Sequence, residues 1–171
     1  FMNDLVNDPR FRKVEVIHLH SGGETLLHPQ IGELLVVIKR YKDLAKQKGQ
    51  RFPKVNLLTN GTPLLENKAK EIIESGAVDV MRFSMDGGSP ERFESMRIRA
   101  KWDVFYKNIS YFCRLNNQLE KPIKTHIISV IDPGKPLNTK WMDEKFVEVL
   151  NMVDTYELRH PHTWAGEVDI E

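Results

Sequence analysis

The sequence predicts an α/β protein built on a parallel sheet. Five short runs rich in apolar and β-branched residues alternate with segments whose apolar residues recur at helical spacing. Parallel strands need a long crossover between them, and a helix usually supplies it. At 171 residues the chain is long enough for one sizeable core and short for two ordinary domains. We therefore expect a single domain, residues 1–171.

Residues 1–12 are typical of the tail of a first helix, which indicates a truncated start. The predicted strands occupy residues 14–20, 54–60, 78–86, 123–132 and 155–160. Predicted helices lie within residues 31–49, 64–76, 104–117 and 140–153. Residues 160–171 are expected to form an exit segment towards a further C-terminal domain, so we interpret the sequence as truncated at both ends.

The helical segments carry apolar stripes followed by stop signals. Six side chains of the first long segment follow the i, i+3, i+4, i+7 rule: Ile31, Leu34, Leu35, Ile38, Tyr41 and Ala45. Gly49 and Gly76 then suit C-terminal caps. Cys113 lies on the stripe of a later helix, which indicates packing rather than chemistry.

Polar residues cluster where three consecutive predicted strands end. "SGGE" occupies residues 21–24, "TNG" residues 59–61 and "SMDGG" residues 84–88. Each alone is an ordinary turn or cap pattern. Ligands bind at the carboxyl ends of the strands in parallel α/β folds. The three segments together therefore predict a binding site.

The strands also present one polar face. Arg82, Ser84 and Asp86 alternate with apolar residues in the third strand, and His18 and His20 do so in the first. An open doubly wound sheet and a curved, barrel-type sheet both fit the strand–helix alternation. A polar inner face favours a wide or incomplete barrel that holds a polar ligand.

The strand-end residues indicate the chemistry of that ligand. Two glycines, 22 and 23, allow close approach to the backbone, and Glu24 suits an ammonium group. Arg97 suits a carboxylate, and Ser84 and Asn60 suit hydroxyl groups such as those of a ribose. The composite ligand is an amino acid joined to a nucleoside.

At this point the sequence resembles the radical S-adenosylmethionine (radical SAM) enzymes. The stretches "HLHSGGETLLHP", "KVNLLTNGTPLL", "VDVMRFSMDGGSPERFESMR" and "VFYKNISYF" line up in order with the second, third and fourth βα units of that family, over roughly residues 14–115. The resemblance implies a partial (βα)6 barrel, of which about five βα units are present.

The resemblance also implies functional residues. Gly22, Gly23 and Glu24 match the segment that binds the methionyl amino group of S-adenosylmethionine, and Thr59 and Asn60 match the strand-end segment that lines the same pocket in the family. The full set of expected cofactor-binding residues is Gly22, Gly23, Glu24, Thr59, Asn60, Ser84, Asp86 and Arg97. A wall facing the substrate is expected from His18, His20, Arg82 and His126. No catalytic residue and no metal ligand is assigned.

The implied reaction uses S-adenosylmethionine and a [4Fe–4S] cluster to generate a 5′-deoxyadenosyl radical, which abstracts hydrogen from a substrate such as a peptide or protein side chain. An electron donor such as a flavodoxin or ferredoxin is the implied partner. The ending "YELRHPHTWAGEVDIE" is similar to the exit of the branch that carries a cysteine-rich SPASM domain. The sequence does not reveal which substrate is used.

The sequence departs from the family pattern in lacking the cysteines that hold the iron–sulfur cluster. The CxxxCxxC loop of the family should follow its first strand, upstream of Phe1, and the sequence contains one cysteine, Cys113. Three thiolates are needed to hold the cluster. We therefore expect this chain to be inactive by itself. Thr25 also stands where the family usually has a proline.

Two other functions remain open at this stage. A metal-dependent barrel hydrolase would use His18 and His20, with His126, His160 or His162 as further ligands. That interpretation leaves the glycine and carboxylate segments unexplained. A non-catalytic barrel that binds a peptide or nucleotide, or serves as a scaffold, is the second alternative.

Composition gives no support for nucleic acid or a membrane as a partner. The formal net charge is +1, which gives no electrostatic case for nucleic acid or an anionic membrane. No apolar run is long enough to span a bilayer, and no signal-peptide pattern is present. A reducing cytoplasm is the expected setting.

Overall fold

A computed structural model describes residues 1–20 and 22–161. Within them, strands and helices alternate along the chain. The strands are β1 (Val16–Leu19), β2 (Lys54–Thr59), β3 (Val80–Ser84), β4 (Lys124–Val130) and β5 (Thr155–Arg159). The α-helices are α1 (Met2–Asn7), α2 (Ile31–Gln47), α3 (Glu66–Ser75), α4 (Pro90–Met96), α5 (Trp102–Asn116) and α6 (Glu144–Asn151). Two short 3-10 helices cover Pro9–Phe11 and Thr25–Leu27.

The five strands form one parallel sheet in the order β1-β2-β3-β4-β5. In a doubly wound sheet, the order in which successive strands are added reverses at a switch point. Here each crossover moves to the next strand on the same side, so right-handed crossovers place the helices on one face. The strand order therefore decides between the two predicted layouts in favour of barrel-type winding.

The two faces of the sheet differ as the strand parity predicts. Val55, Leu57, Met81, Phe83 and Ile127 point to the helices and are fully buried. The opposite side, called the polar face below, carries the side chains of His18, Asn56, Arg82, Ser84 and His126. The hydrophobic effect thus stabilises one side of the sheet and leaves the other for polar chemistry.

Local sequence signals explain three of the helix ends, at Gly76, Ser89 and Asp143. Gly76 caps α3 in the left-handed conformation at φ 59°, as predicted from its position. The helix predicted within residues 140–153 is shorter, because the Asp143 side chain accepts a hydrogen bond from the Lys145 N–H and sets its start. Helix α4 was not predicted; Ser89 caps it, and Pro90 occupies its first turn.

The single cysteine lies in the core. Cys113 is 4% exposed on α5, and burial raises the pKa of its thiol to about 12. Because the thiolate is the reactive form, we expect a thiol reagent such as dithiobisnitrobenzoate to modify native Cys113 at least about 100-fold more slowly than the denatured chain at pH 8. Absorbance of the released chromophore measures both rates. Equal rates would contradict the buried position.

Every helix within the described residues is too short or too polar to cross a lipid bilayer.

Candidate functional site

Glu24 connects the ends of the first two strands. Its Oε1 accepts hydrogen bonds from the Thr59 hydroxyl at 2.7 Å and from the Leu26 N–H at 3.0 Å, and its Oε2 accepts one from the Asn60 N–H at 2.7 Å. The Leu26 bond also caps the 3-10 helix Thr25–Leu27. The carboxylate is therefore held in one orientation, and Oε2 keeps a lone pair for a ligand.

Thr25 secures the same loop from the other side. Its hydroxyl donates to the Leu19 carbonyl oxygen at 2.6 Å, which closes the turn after β1. A threonine thus takes a structural role at the position where the resembled family usually has proline.

The glycine pair lies on the open side of this loop. Gly22 and Gly23 are exposed, and a Cβ atom added at either position would meet nothing within 4 Å. The space beside their backbone is therefore accessible to a ligand. Gly61 differs, since an added Cβ there would lie 2.6 Å from the ring of Phe105.

A second group of polar side chains, Ser84, Asp86 and Arg97, lies at the end of β3. The Arg97 Nη2 donates to the Ser84 hydroxyl oxygen at 2.5 Å and to Asp86 Oδ2, and both ion-pair side chains are less than one-fifth exposed. Asp86 Oδ1 accepts from the Val130 N–H at 2.8 Å, which ties the pair to β4. The Nε of Arg97 is buried without a hydrogen-bond partner in the described chain. Arg97 is therefore oriented by Asp86 and retains an unused donor.

The strand ends line a common cavity. A cavity of about 180 Å³ is bounded by Gly23, Glu24, Leu58, Thr59, Asn60, Ser84 and Arg97. Of the eight predicted cofactor-binding residues, Gly22 lies beside this lining, and Asp86 contacts it through Arg97. The structure thus brings together residues as far apart in the sequence as Gly23 and Arg97.

An adjoining cavity contains residues that sequence reasoning missed. It measures about 220 Å³ and shares Glu24, Asn60 and Arg97 with the first. Its other lining residues are Leu27, Thr62, Pro63, Ile98, Arg99 and Ala100. Ile98 is 94% exposed, and Arg99 adopts a left-handed conformation at φ 65°. Such a conformation in a non-glycine residue near a site is the one signal that marks this loop, and it is visible only in the structure.

The expected substrate-facing residues separate into two groups. Arg82 and His126 lie opposite each other on β3 and β4 and line one cavity. His20 lines a different cavity, beside Glu24. The rings of His18 and His20 pack edge to face, with their centroids 5.2 Å apart. Burial lowers the pKa of both His20 and His126, and the nearby Arg82 charge lowers it further, so neutral imidazoles are favoured.

The histidines of the described residues do not form a metal-binding group. Among residues 1–20 and 22–161, no three His, Cys, Asp or Glu side chains are placed to hold one ion. His126 Nδ1 instead pairs with the Thr155 hydroxyl at 2.8 Å, and His160 Nε2 pairs with the Lys135 carbonyl at 2.8 Å. His162 and the exit segment 162–171 lie outside the described residues. The hydrolase interpretation therefore has no ligand set in the described part of the chain.

Comparison with known proteins supports the resemblance. The model of the Radical SAM superfamily matches residues 5–141. The crystal structure of archaeal TYW1 is similar, with a TM-score of 0.51 and 18% sequence identity, and the likeness covers 85% of this chain and 42% of that one. The chain thus spans less than half the length of the TYW1 structure, and the likeness supports the predicted partial-barrel α/β fold alone. No curated protein matches the chain.

Proposed function

Since the chain belongs to the radical SAM superfamily, we propose that the cavity at its strand ends binds S-adenosylmethionine. Enzymes of this superfamily typically use S-adenosylmethionine and a [4Fe–4S] cluster. The single observation that carries the proposal is the shared cavity: an acid, a guanidinium, a hydroxyl group and bare glycine backbone meet there from three successive strands.

The polar groups match the amino-acid end of the cofactor. The methionyl ammonium would use the free lone pair on Glu24 Oε2, beside Gly23. The methionyl carboxylate would use the buried Nε–H of Arg97, whose Nη2 is already held by Asp86 and Ser84. An unpartnered donor next to an oriented guanidinium is what a carboxylate ligand would satisfy.

The nucleoside end fits the adjoining cavity. The Asn60 Oδ1 accepts from the Thr62 N–H at 2.9 Å, which directs the amide –NH₂ group of Asn60 to other partners such as ribose hydroxyls. Leu27 and Ile98 are 71% and 94% exposed and line this cavity. Exposed apolar side chains next to a polar site are suited to cover an aromatic base.

The chain's own residues do not fit the iron–sulfur cluster. The sequence contains one cysteine, and Cys113 is buried on α5 with its thiol protonated. We therefore propose that residues outside this sequence provide the cluster ligands and that this chain does not turn over alone. Beside such a cluster, S-adenosylmethionine would supply radical chemistry, and Glu24 and Arg97 would hold its amino-acid end. The chain itself orients the cofactor and excludes water from it.

We extend the proposal to the whole protein's partners. A peptide or protein side chain is the proposed substrate class, a flavodoxin or ferredoxin the proposed electron donor, and the cytoplasm the proposed location. A SPASM domain following "HTWAG" remains a prediction, because that stretch lies within residues 162–171.

Calorimetric titration of the full-length protein with S-adenosylmethionine tests the proposal. The informative variant is Gly23→Val, since its side chain would enter space that the ligand needs and would touch no protein atom at Cβ. We expect at least about tenfold weaker binding, equivalent to roughly 1.4 kcal/mol. The melting temperature should shift by less than about 2 °C.

Methylthioadenosine, which lacks the amino-acid end, serves as the matched ligand control. It should bind the wild-type protein more weakly than S-adenosylmethionine and should lose less affinity in Gly23→Val. Absence of S-adenosylmethionine binding in the wild-type protein would support the scaffold alternative. Equal affinity in both proteins would exclude the glycine loop as the binding segment.

A further inference from the structure

The cavity that Arg82 and His126 line is on the polar face, towards the amino ends of the strands. It measures about 620 Å³ and is lined by residues of all five strands and of the turn before β5. Arg82 of β3 is one of the lining residues and lies opposite His126 on β4. Ser84 of the first cavity follows two residues later on the same strand and face, about 7 Å away at the usual rise of a strand. The two cavities are therefore adjacent along β3.

Three buried polar atoms in this cavity have no hydrogen-bond partner. They are Arg82 Nε, His126 Nε2 and Asn56 Oδ1, and the statement applies to the described chain. Buried polar groups in native proteins are nearly always satisfied, so each exception needs an explanation. Arg82 Nε is a donor, and His126 Nε2 is a donor in one tautomer, so these two residues of the lining suit an anionic ligand; Asn56 Oδ1 is an acceptor and does not.

The charge of the cavity is unbalanced. Arg82 forms no ion pair within residues 1–20 and 22–161. The carboxylates nearby have their own partners. Asp154 Oδ2 accepts from the Thr125 N–H at 2.7 Å and hydroxyl at 2.9 Å, and Glu157 pairs with Arg159 at 2.6 and 2.7 Å. The hydrogen bond from Arg159 lowers the pKa of Glu157 most, and the Arg82 charge lowers it further. Within the described residues, however, no carboxylate contacts the half-buried Arg82 guanidinium directly, which is costly unless an anion binds it.

His126 and two lysines also favour binding of an anion in this cavity. The Thr155 hydroxyl can donate to His126 Nδ1, and in that tautomer the Nε2 of the neutral ring carries the proton and becomes a donor. Lys54 and Lys124 lie at the rim of the cavity with exposed side chains. Three cationic side chains and one carboxylate, that of Asp154, therefore line the same space.

We infer that this cavity binds an oxyanion group of the substrate, a carboxylate or a phosphate, with Arg82 as its main contact and His126 as a second donor. The guanidinium fork matches either group. The inference rests on the proposed function in one respect, since it places the substrate beside the S-adenosylmethionine cavity. Binding of the anion itself does not depend on that placement.

Calorimetric titration of the full-length protein with inorganic phosphate and, separately, with acetate tests the inference. We expect one of the two to bind the wild-type protein, and the tighter ligand identifies the group. Arg82→Gln should weaken that ligand at least about tenfold, as expected for a charge-assisted contact. Arg82→Lys should lose less, because it keeps the charge but not the fork. The matched control is Arg40→Gln, which removes one exposed charge on α2 and should leave the affinity unchanged.

Thermal unfolding without added anion gives a second measurement. Removing an unpartnered half-buried charge should raise the melting temperature of Arg82→Gln above that of the wild-type protein, and phosphate or acetate should raise the wild-type value alone. The inference is wrong if neither anion binds, or if an anion that binds the wild-type protein binds Arg82→Gln equally well. S-adenosylmethionine titration of the same wild-type sample reports on the proposed function separately.

Discussion

Replacing Glu24 by alanine should destabilise the protein by about 2–4 kcal/mol and weaken S-adenosylmethionine binding roughly 10- to 100-fold. The loss of stability follows from the three hydrogen bonds that the carboxylate accepts from Leu26, Thr59 and Asn60. Without it, these donors remain in a partly buried place with no protein acceptor. The loss of affinity follows because Glu24 is the acid expected to bind the ammonium group.

Chemical denaturation measures the first effect, and calorimetric titration measures the second. Glu24→Gln separates the two, because its amide oxygen still accepts bonds while the charge is lost. We expect it to lose about 1 kcal/mol of stability and nearly as much affinity as the alanine variant. Glu74→Ala, at an exposed position of α3, is the matched control and should change neither quantity. Full affinity in Glu24→Gln would show that the acid does not contact the ligand.

Replacing Gly61 by alanine should destabilise the protein by roughly 2–5 kcal/mol. The residue has φ 78°, and a Cβ atom would lie 2.6 and 2.7 Å from two ring atoms of Phe105, which is fully buried. The Gly61 carbonyl also accepts from the Asn108 side chain at 2.9 Å. Substitution therefore adds backbone strain to overpacking at the turn that carries Asn60, and we expect weaker S-adenosylmethionine binding as well.

Gly49→Ala is the matched control for this glycine. Its φ is 64°, and an added Cβ would meet nothing within 4 Å, so only the backbone term of about 1–2 kcal/mol applies. The difference between the two variants in urea denaturation isolates the contact with Phe105. Equal losses would mean that α5 moves aside freely, and the close packing of this turn would then have no energetic effect.

Much of the fold was predictable because its signals are local. The apolar stripe of α2 and the glycine at the end of α3 appear within a few residues of sequence, and the structure places both as expected. Helix α4 was missed, since seven residues carry too few apolar repeats to show a period. Its cap, Ser89 followed by Pro90, was the signal available.

The candidate site was predictable in composition and only partly in geometry. Glycines and polar residues after successive strands identified the edge that forms the cavity. The sequence did not show that Asp86 holds Arg97, nor that Glu24 joins β1 to the end of β2. These contacts depend on strand register and on how a loop returns to the sheet. The lining residues Ile98 and Arg99 were missed for the same reason.

The amino-acid sequence by itself determined the alternation of strands and helices, the apolar and polar sides of each strand, and the edge where ligand-binding groups collect. These properties follow from side-chain period and backbone preference, which act over a few residues. Only the tertiary structure decided the strand order, the shared cavity and the position of Arg82, whose Nε has no partner within the described part of the chain. Such properties depend on distances between residues far apart in the chain, and packing of the helices against one face of the sheet sets those distances.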